Sequence, residues 1–281
     1  MAGARRASGR AIRRVWLSGA GLLLALVVLF PYAVMVFTAL KAERELRVTP
    51  ARLMPIEWRP GNFVDLLRDS GFQSWLRSSL IIAVTSTAVV LVAAVPAAYY
   101  TARHRFRGRA AFLFLVLVTQ MFAPTALVVG LYREFFELDL INTYTALIAT
   151  NAAFNLAFAV WILRAFFASI PREIEEAAAI DGCGRLGSLF RIVLPLSGPG
   201  LVSALIFAFI AAWNEYIVAL TLMTDPDGKP LTAGITSYVT AYVQHWNSLF
   251  AASVIAIVPV VVLFALIERY LVGGLTAGSV K

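Results

Sequence analysis

Six stretches of the chain stay apolar long enough to cross a bilayer, at about residues 15–40, 78–100, 110–132, 144–168, 200–223 and 250–272. As helices rising 1.5 Å per residue, each matches the roughly 30 Å thickness of hydrocarbon. The pattern predicts six transmembrane helices with both termini on one side. Between the fourth and fifth runs polar residues return in a strict arrangement. Pro171 sits where a first helical turn tolerates it, and Glu173, Glu175 and Glu176 follow where acids complement a helix N-terminus. Gly182 and Gly184 can end this helix with positive φ. Leu186, Leu189, Phe190 and Val193 then recur at helical spacing until Pro195 stops them. The expected product is a short helix, a turn, and a second short helix with one apolar face.

Two outer loops also carry patterns. Asn62 is placed to cap a helix bearing Phe63, Leu66 and Leu67, with Asp65 approximately completing a capping box. Past the Pro226-Asp227-Gly228 turn, Ile235, Tyr238, Val239, Tyr242, Val243 and Trp246 keep helical spacing over three turns. That spacing predicts an amphipathic helix at the outer interface, packed on neighbouring spans or docking an extracellular protein.

Composition fixes the class. Of 281 residues 60% are hydrophobic and 14% charged, and mean hydropathy is +0.80, so an all-α integral membrane protein is expected rather than a soluble domain. Cys183 is the one cysteine and cannot form an intramolecular disulfide; no Cys or His cluster has metal-ligand spacing, so no metal and no cofactor bound by this chain is expected. The net charge of +8 is distributed unevenly. Taking the N-tail, residues 101–109, 164–199 and the C-tail as inside collects fifteen basic residues against five acids, while the outside segments hold nine against ten and Glu215 is counted in the membrane. Arg103, Arg105, Arg107 and Arg109 in one acid-free loop dominate the asymmetry. The positive-inside rule then places a basic tail, residues 1–14, and the 169–199 loop in the cytoplasm, with residues 15–281 forming a single transmembrane domain. The basic surplus reports orientation, and nucleic-acid binding is not expected. The first apolar run is longer than a signal-peptide core and lacks a convincing small-residue cleavage site, which favours an uncleaved span.

Few polar residues lie inside the spans: Gln120 and Pro124 in the third, Asn155 in the fourth, Trp213, Asn214 and Glu215 in the fifth. A charge at mid-membrane costs about 2.5–3.5 kcal/mol even on the lenient insertion scale, so Glu215 is expected near the outer end or facing a wet cavity. Gln120, Asn155, Trp213, Asn214 and Glu215 are the candidate substrate pathway; the alternative is that the amides only bridge helices.

Glu176-Ala177-Ala178, then Gly182, then Ile192, Leu194 and Pro195, resembles the "EAA" loop of ABC-importer permeases at every defined position. An amphipathic surface helix is the plainer alternative. Ala97-Ala98-Tyr99-Tyr100 running into Arg105-Phe106-Arg107-Gly108-Arg109, Ala159-Val160-Trp161-Ile162-Leu163, Ala212-Trp213-Asn214-Glu215 and Gly274 to Lys281 are similar to the carbohydrate-uptake branch, in the subunit type of the maltose permease. Together these cover about residues 70–281. Ala157 departs from the pattern, since such permeases often carry a proline before the Phe-Ala of the fourth span.

The resemblance implies a type I ABC-importer permease fold in a bacterial inner membrane, with Glu176, Ala177, Ala178, Gly182, Ile192, Leu194 and Pro195 as the coupling segment. It also implies a second permease subunit in a heterodimer, two ATPase subunits that bind ATP and Mg, and an extracytoplasmic solute-binding protein. The chain itself lacks a Gly-x4-Gly-Lys-Ser/Thr phosphate loop, a nucleophile-base pair and paired catalytic carboxylates at membrane depth, so it is not expected to be an enzyme. Three alternatives stand beside sugar import: an ABC permease for a non-sugar solute; an ion-coupled secondary transporter, which would want several ionisable groups near the midplane; and a non-transporting scaffold, which would not need the coupling loop.

Overall fold

Every apolar run is helical in the computed structural model, which describes residues 2–48, 50, 52–240 and 244–276, with side chains between 16 and 268. In order the helices are α1 (Ala2–Ala39), α2 (Glu43–Leu46), α3 (Gly61–Arg68), α4 (Ser70–Arg103), α5 (Arg109–Thr119), α6 (Pro124–Glu137) and α7 (Tyr144–Ser169). There follow α8 (Arg172–Ile180), α9 (Arg185–Ser188), α10 (Leu194–Leu196), α11 (Gly198–Trp213), α12 (Ile217–Leu222), α13 (Leu231–Gly234) and α14 (Trp246–Thr276).

Among the described residues four helices are long and apolar enough to cross a membrane unaided: Trp16–Ala39 of α1, α4, α7, and Trp246–Glu268 of α14. Six spans result if two bent pairs each count as one, α5 with α6 at 93° and Arg185–Leu196 with α11 at 82°. The third apolar run is therefore not one straight helix. Pro124 holds Ala123 in an extended conformation at φ −69°, ψ 134° and opens α6 as its first residue, so helical geometry cannot pass through Gln120–Ala123. The fifth run, near 200–223, likewise stops at Trp213 and restarts at Ile217.

By its contacts the chain divides into residues 1–68 with 238–255, and residues 69–237 with 256–281. In the larger unit α4 and α7 run parallel. The Ser78 and Tyr144 hydroxyls meet at 2.7 Å where both helices begin, and Arg103 Nη1 donates to the Ile170 carbonyl at 3.0 Å where both end. Buried small residues make this approach possible: Ala94, Ala98 and Ala102 follow Val90 at four-residue steps on α4, in one cluster with Ala159 and Val160 of α7. Within lipid, helices associate through such packing rather than through expulsion of water. Polar side chains on the two helices mostly bond their own backbone, Thr87 to the Ala83 carbonyl, Thr150 to Ala146 and Asn151 to Leu147. At the end where α7 starts, Asn142 (φ 61°) presents Oδ1 to the Thr224 amide at 2.7 Å and the Asp225 amide at 3.0 Å, fastening the loop after α12.

In the smaller unit α3 forms without the expected cap. Asn62 lies inside that helix, and its amide reaches back to the Ala39 and Lys41 carbonyls at 2.8 and 2.9 Å, satisfying acceptors at the end of α1. Glu45 accepts the Ile56 amide at 2.8 Å and the Glu57 amide at 3.1 Å, and these bonds hold its carboxyl below the usual range. The three-turn amphipathic helix expected over 235–246 is absent from the described part. Ile235–Tyr238 is a 3-10 turn, Val239 pairs with Gln244, and the His245 amide donates to the Tyr238 carbonyl at 2.9 Å. Tyr242 and Val243, like residues 277–281 of the C-terminal signature, lie outside the described residues.

Candidate functional site

The polar segment between the fourth and fifth apolar runs folds as α8, a tight turn and an irregular second helix. Pro171 serves as the N-cap of α8, one residue ahead of its expected place inside the first turn, and Glu173 and Glu175 occupy that turn. Gly182 turns the chain at φ 82°, a conformation L side chains adopt poorly. Gly184 does not share it; at φ −70°, ψ 167° it is extended backbone. The second helix widens into a π turn over Leu189–Val193, where the Leu194 amide bonds the Leu189 carbonyl. Pro195 supplies the reason: its ring crowds the carbonyl four residues back, and it has no amide hydrogen to continue the ladder. The extra residue per turn splits the expected apolar face. Leu189 and Val193 are buried at 2% and 0%, whereas Leu186 and Phe190 are 73% and 60% exposed.

Two faces result. Outward lie Glu176, Ala177, Gly182, Leu186, Phe190 and Ile180, the last 87% exposed. Exposed apolar side chains grouped on an otherwise charged end of a bundle mark a protein contact surface. Ile192 and Leu194 are half-buried and Pro195 is exposed. Inward, the segment meets the end of α4. Arg103 Nη2 approaches Glu175 Oε1 at 2.5 Å, with both side chains largely buried, and the Tyr99 hydroxyl donates to Glu175 Oε2 at 2.6 Å. Arg172 Nη2 donates to the Arg103 carbonyl at 3.0 Å. A cleft of about 230 Å³ lies beside this cluster, lined also by Glu176, Cys183 and Ser188. The acid-free arginine loop thus shares an end of the bundle with the polar segment. Neither Arg103 nor Glu175 stood out as a pair in the sequence; the available signal was Tyr99 and Arg103 four residues apart on one helical face.

The candidate pathway residues are not gathered into one site. Asn155 is buried and its amide bonds the Asn151 carbonyl of its own helix at 2.8 Å. Gln120, exposed in the break between α5 and α6, donates to the Phe154 carbonyl at 2.9 Å. The Trp213 ring is buried, with Nε1 on the Ala256 carbonyl at 3.1 Å. Glu215 caps α12, its two carboxylate oxygens accepting the Val218 and Ala219 amides at 2.7 and 2.8 Å. Asn214 opens onto a cavity of about 450 Å³ between α7, α11 and α14, with Phe158, Phe207, Ser203 and Phe264 in its wall.

Residues 94–276 match the family described as "Binding-protein-dependent transport system inner membrane component". The chain is 38% identical over 253 residues, 90% of its length and 89% of the relative's, to the sulfoquinovosyl glycerol transport system permease protein SmoH of Agrobacterium fabrum. It is 34% identical over 273 residues, 96% and 98% of the two chains, to the trehalose/maltose transport system permease protein MalG of Thermococcus litoralis. In fold it is similar to a chain of a bacterial ABC transporter involved in the import of the acidic polysaccharide alginate, with TM-score 0.79 and 23% identity over 93% of this chain and 98% of that one. With the "EAA" segment folded as a helix, glycine turn and second helix at one end of the α4–α7 pair, the chain belongs to the inner-membrane permease components of binding-protein-dependent ABC transport systems.

Proposed function

We propose that this chain is one half of a heterodimeric pathway importing a carbohydrate, or a related glycoside or polyol, in a bacterial inner membrane. A solute-binding protein outside delivers the substrate, and two cytoplasmic ATPase subunits, holding ATP and Mg, supply the energy. The observation that carries this is the outward face of the 172–196 segment, where Glu176, Ala177 and the left-handed Gly182 leave room for close approach and Ile180, Leu186 and Phe190 offer apolar contact. Having no phosphate loop of its own, the chain needs an ATPase docked there.

The substrate class is supported by the relatives, whose names specify sulfoquinovosyl glycerol and trehalose or maltose. It is also compatible with the side chains present: a neutral sugar is held by amides and aromatic faces, and Asn214 with Phe158 and Phe207 offers both at the α7–α11 cavity. Uptake of radiolabelled sugars should fall in cells lacking this chain, with amino acids and inorganic anions unchanged. Selective loss of amino-acid or anion uptake, every sugar and polyol being unaffected, would overturn the substrate class.

Orientation has its own measurement. Arg103 to Arg109 and the coupling segment lie at one end of the α4–α7 pair, which supports a cytoplasmic position for both, and for both termini. Cys183, half-buried and free, should escape a membrane-impermeant thiol reagent applied to cells with a permeabilised outer envelope, and react once the inner membrane is opened. Ready labelling from outside would reverse the topology.

A further inference from the structure

We propose that Glu175, Arg103 and Tyr99 form the strut through which the coupling helix moves α4, so that Glu175 and Arg103 are positioning residues for transport. This rests on the coupling reading of the 169–199 loop and adds to it a route inward. The docking face of α8 and its attachment to the bundle rest on different side chains: Glu176 is exposed beside the cleft, and its neighbour Glu175 is largely buried against α4. Each oxygen of the Glu175 carboxylate has its own partner on α4, Arg103 at 2.5 Å and the Tyr99 hydroxyl at 2.6 Å. Those two partners lie four residues apart in the last turns of α4 and therefore on one face.

The connection is doubled through the backbone. Arg103 also holds the Ile170 carbonyl just before α8, and Arg172, the first residue of α8, holds the Arg103 carbonyl, both at 3.0 Å. Leu189 and Val193 of the second short helix share a buried apolar cluster with Ala98 and Ala102 of α4, and the polar side chains add α8's own attachment beside that packing. With the Arg103 side chain 8% exposed and that of Glu175 14%, the pair is poorly hydrated, and separating it would leave two buried charges without partners. It is easier to move the pair as a unit than to open it. A displacement of α8 is then delivered to the end of α4, whose other face packs along α7 and α11.

The test uses the assembled complex with its ATPase subunits and binding protein, and reads ATPase co-purification, ATP hydrolysis and uptake separately. Glu175→Gln keeps the shape and removes the charge; Tyr99→Phe removes one hydroxyl. In Glu175→Gln the ATPases should co-purify as in wild type while substrate moved per ATP falls about tenfold or more, the loss expected when one partner of a poorly hydrated ion pair is neutralised. Tyr99→Phe should fall roughly threefold, as for a single net hydrogen bond. Exchanging the charges, Arg103→Glu with Glu175→Arg, should recover coupling beyond either single change. Unchanged coupling in Glu175→Gln would overturn the strut, as would loss of ATPase co-purification in step with coupling, or failure of Glu175→Gln to insert while Tyr99→Phe couples normally. Gly182→Val separates the two levels. If it transports normally, the docking assignment itself fails; if it does not, while Glu175→Gln stays coupled, only the strut fails.

Discussion

Gly182→Val is expected to lower the initial rate of uptake to about one-tenth or less while leaving the amount of protein in the membrane near wild type. The turn at Gly182 has φ 82°, and a branched side chain in that conformation costs about 1–2 kcal/mol. Strain of this size distorts a turn without unfolding six spans. No heavy atom of the chain lies within 4 Å of where a Cβ would be built, so the spans meet no clash. The added methyls would instead stand on the exposed face beside Ile180, between the permease and any ATPase docked there. Gly182→Ala separates the two contributions, because it carries the same backbone strain with far less bulk. A graded loss, alanine milder than valine, indicates close approach; equal losses indicate the turn alone. Glu176→Lys, which inverts charge on the same face without backbone strain, should be comparably damaging. Uptake at the wild-type rate in Gly182→Val, measured with immunoblots of the membrane fraction, would sink the docking assignment, and the same result in Glu176→Lys would be a second, independent failure of it.

The sequence announced this loop because its information is local. Acids at a helix start, a glycine at a turn and a Leu-Pro stop each act within a few residues, and so do runs of twenty apolar side chains. Where local rules compete, the outcome was harder to read. Pro195 marks the end of an apolar stripe, but its effect on the turn before it, a π bulge that exposes Leu186 and Phe190, depends on how the ladder rearranges. Pro124 is visible beside Gln120 in the third apolar run, but the run's length alone suggests one span where the structure bends by 93°. Periodicity over 235–246 pointed to a helix, and a 3-10 turn formed instead over Ile235–Tyr238, beginning one residue after Gly234, where an added Cβ would lie 2.3 Å from the Trp75 ring. Long-range polar contacts leave no periodic trace. Glu175 and Tyr99 are 76 residues apart, and only the parallel packing of α4 and α7, ending together at Arg103 and Ile170, brings them into one cluster. The pathway residues fail to stand out for a related reason. An amide within a span must find partners, and Asn155 finds one a turn away on its own helix, so polarity at membrane depth does not by itself point to substrate.

Gly200→Ala, a single methyl, should destabilise the chain, although alanine ordinarily favours a helix over glycine. Gly200 is buried in the first turn of α11, just past the 82° bend, and the space its side chain would need is taken by Phe166 of α7. A Cβ built there lies 2.4 Å from Phe166 Cγ, 2.5 Å from Cδ2 and 2.8 Å from Cβ. Rotating the phenyl ring cannot relieve all three, because the Phe166 Cβ is fixed to the backbone of α7. The helices must therefore separate, and overpacking of this kind costs about 1–3 kcal/mol. For a chain of this size that corresponds to a fall in Tm of roughly 2–12 °C in detergent. Gly130→Ala on α6 is the control: nothing of the chain lies within 4 Å of its built Cβ, and alanine is favoured over glycine by about 0.5–1 kcal/mol inside a helix, so its Tm should not fall. Phe166→Ala removes the two nearest atoms and leaves only the 2.8 Å approach. The double variant should therefore be more stable than the sum of the single losses predicts, because the two side chains compete for one volume. Strict additivity of Gly200→Ala and Phe166→Ala would show that α7 and α11 do not meet at this glycine. Since α11 continues directly from the 172–196 segment proposed to dock the ATPase, the same widening should also lower uptake in cells at temperatures where the protein remains folded.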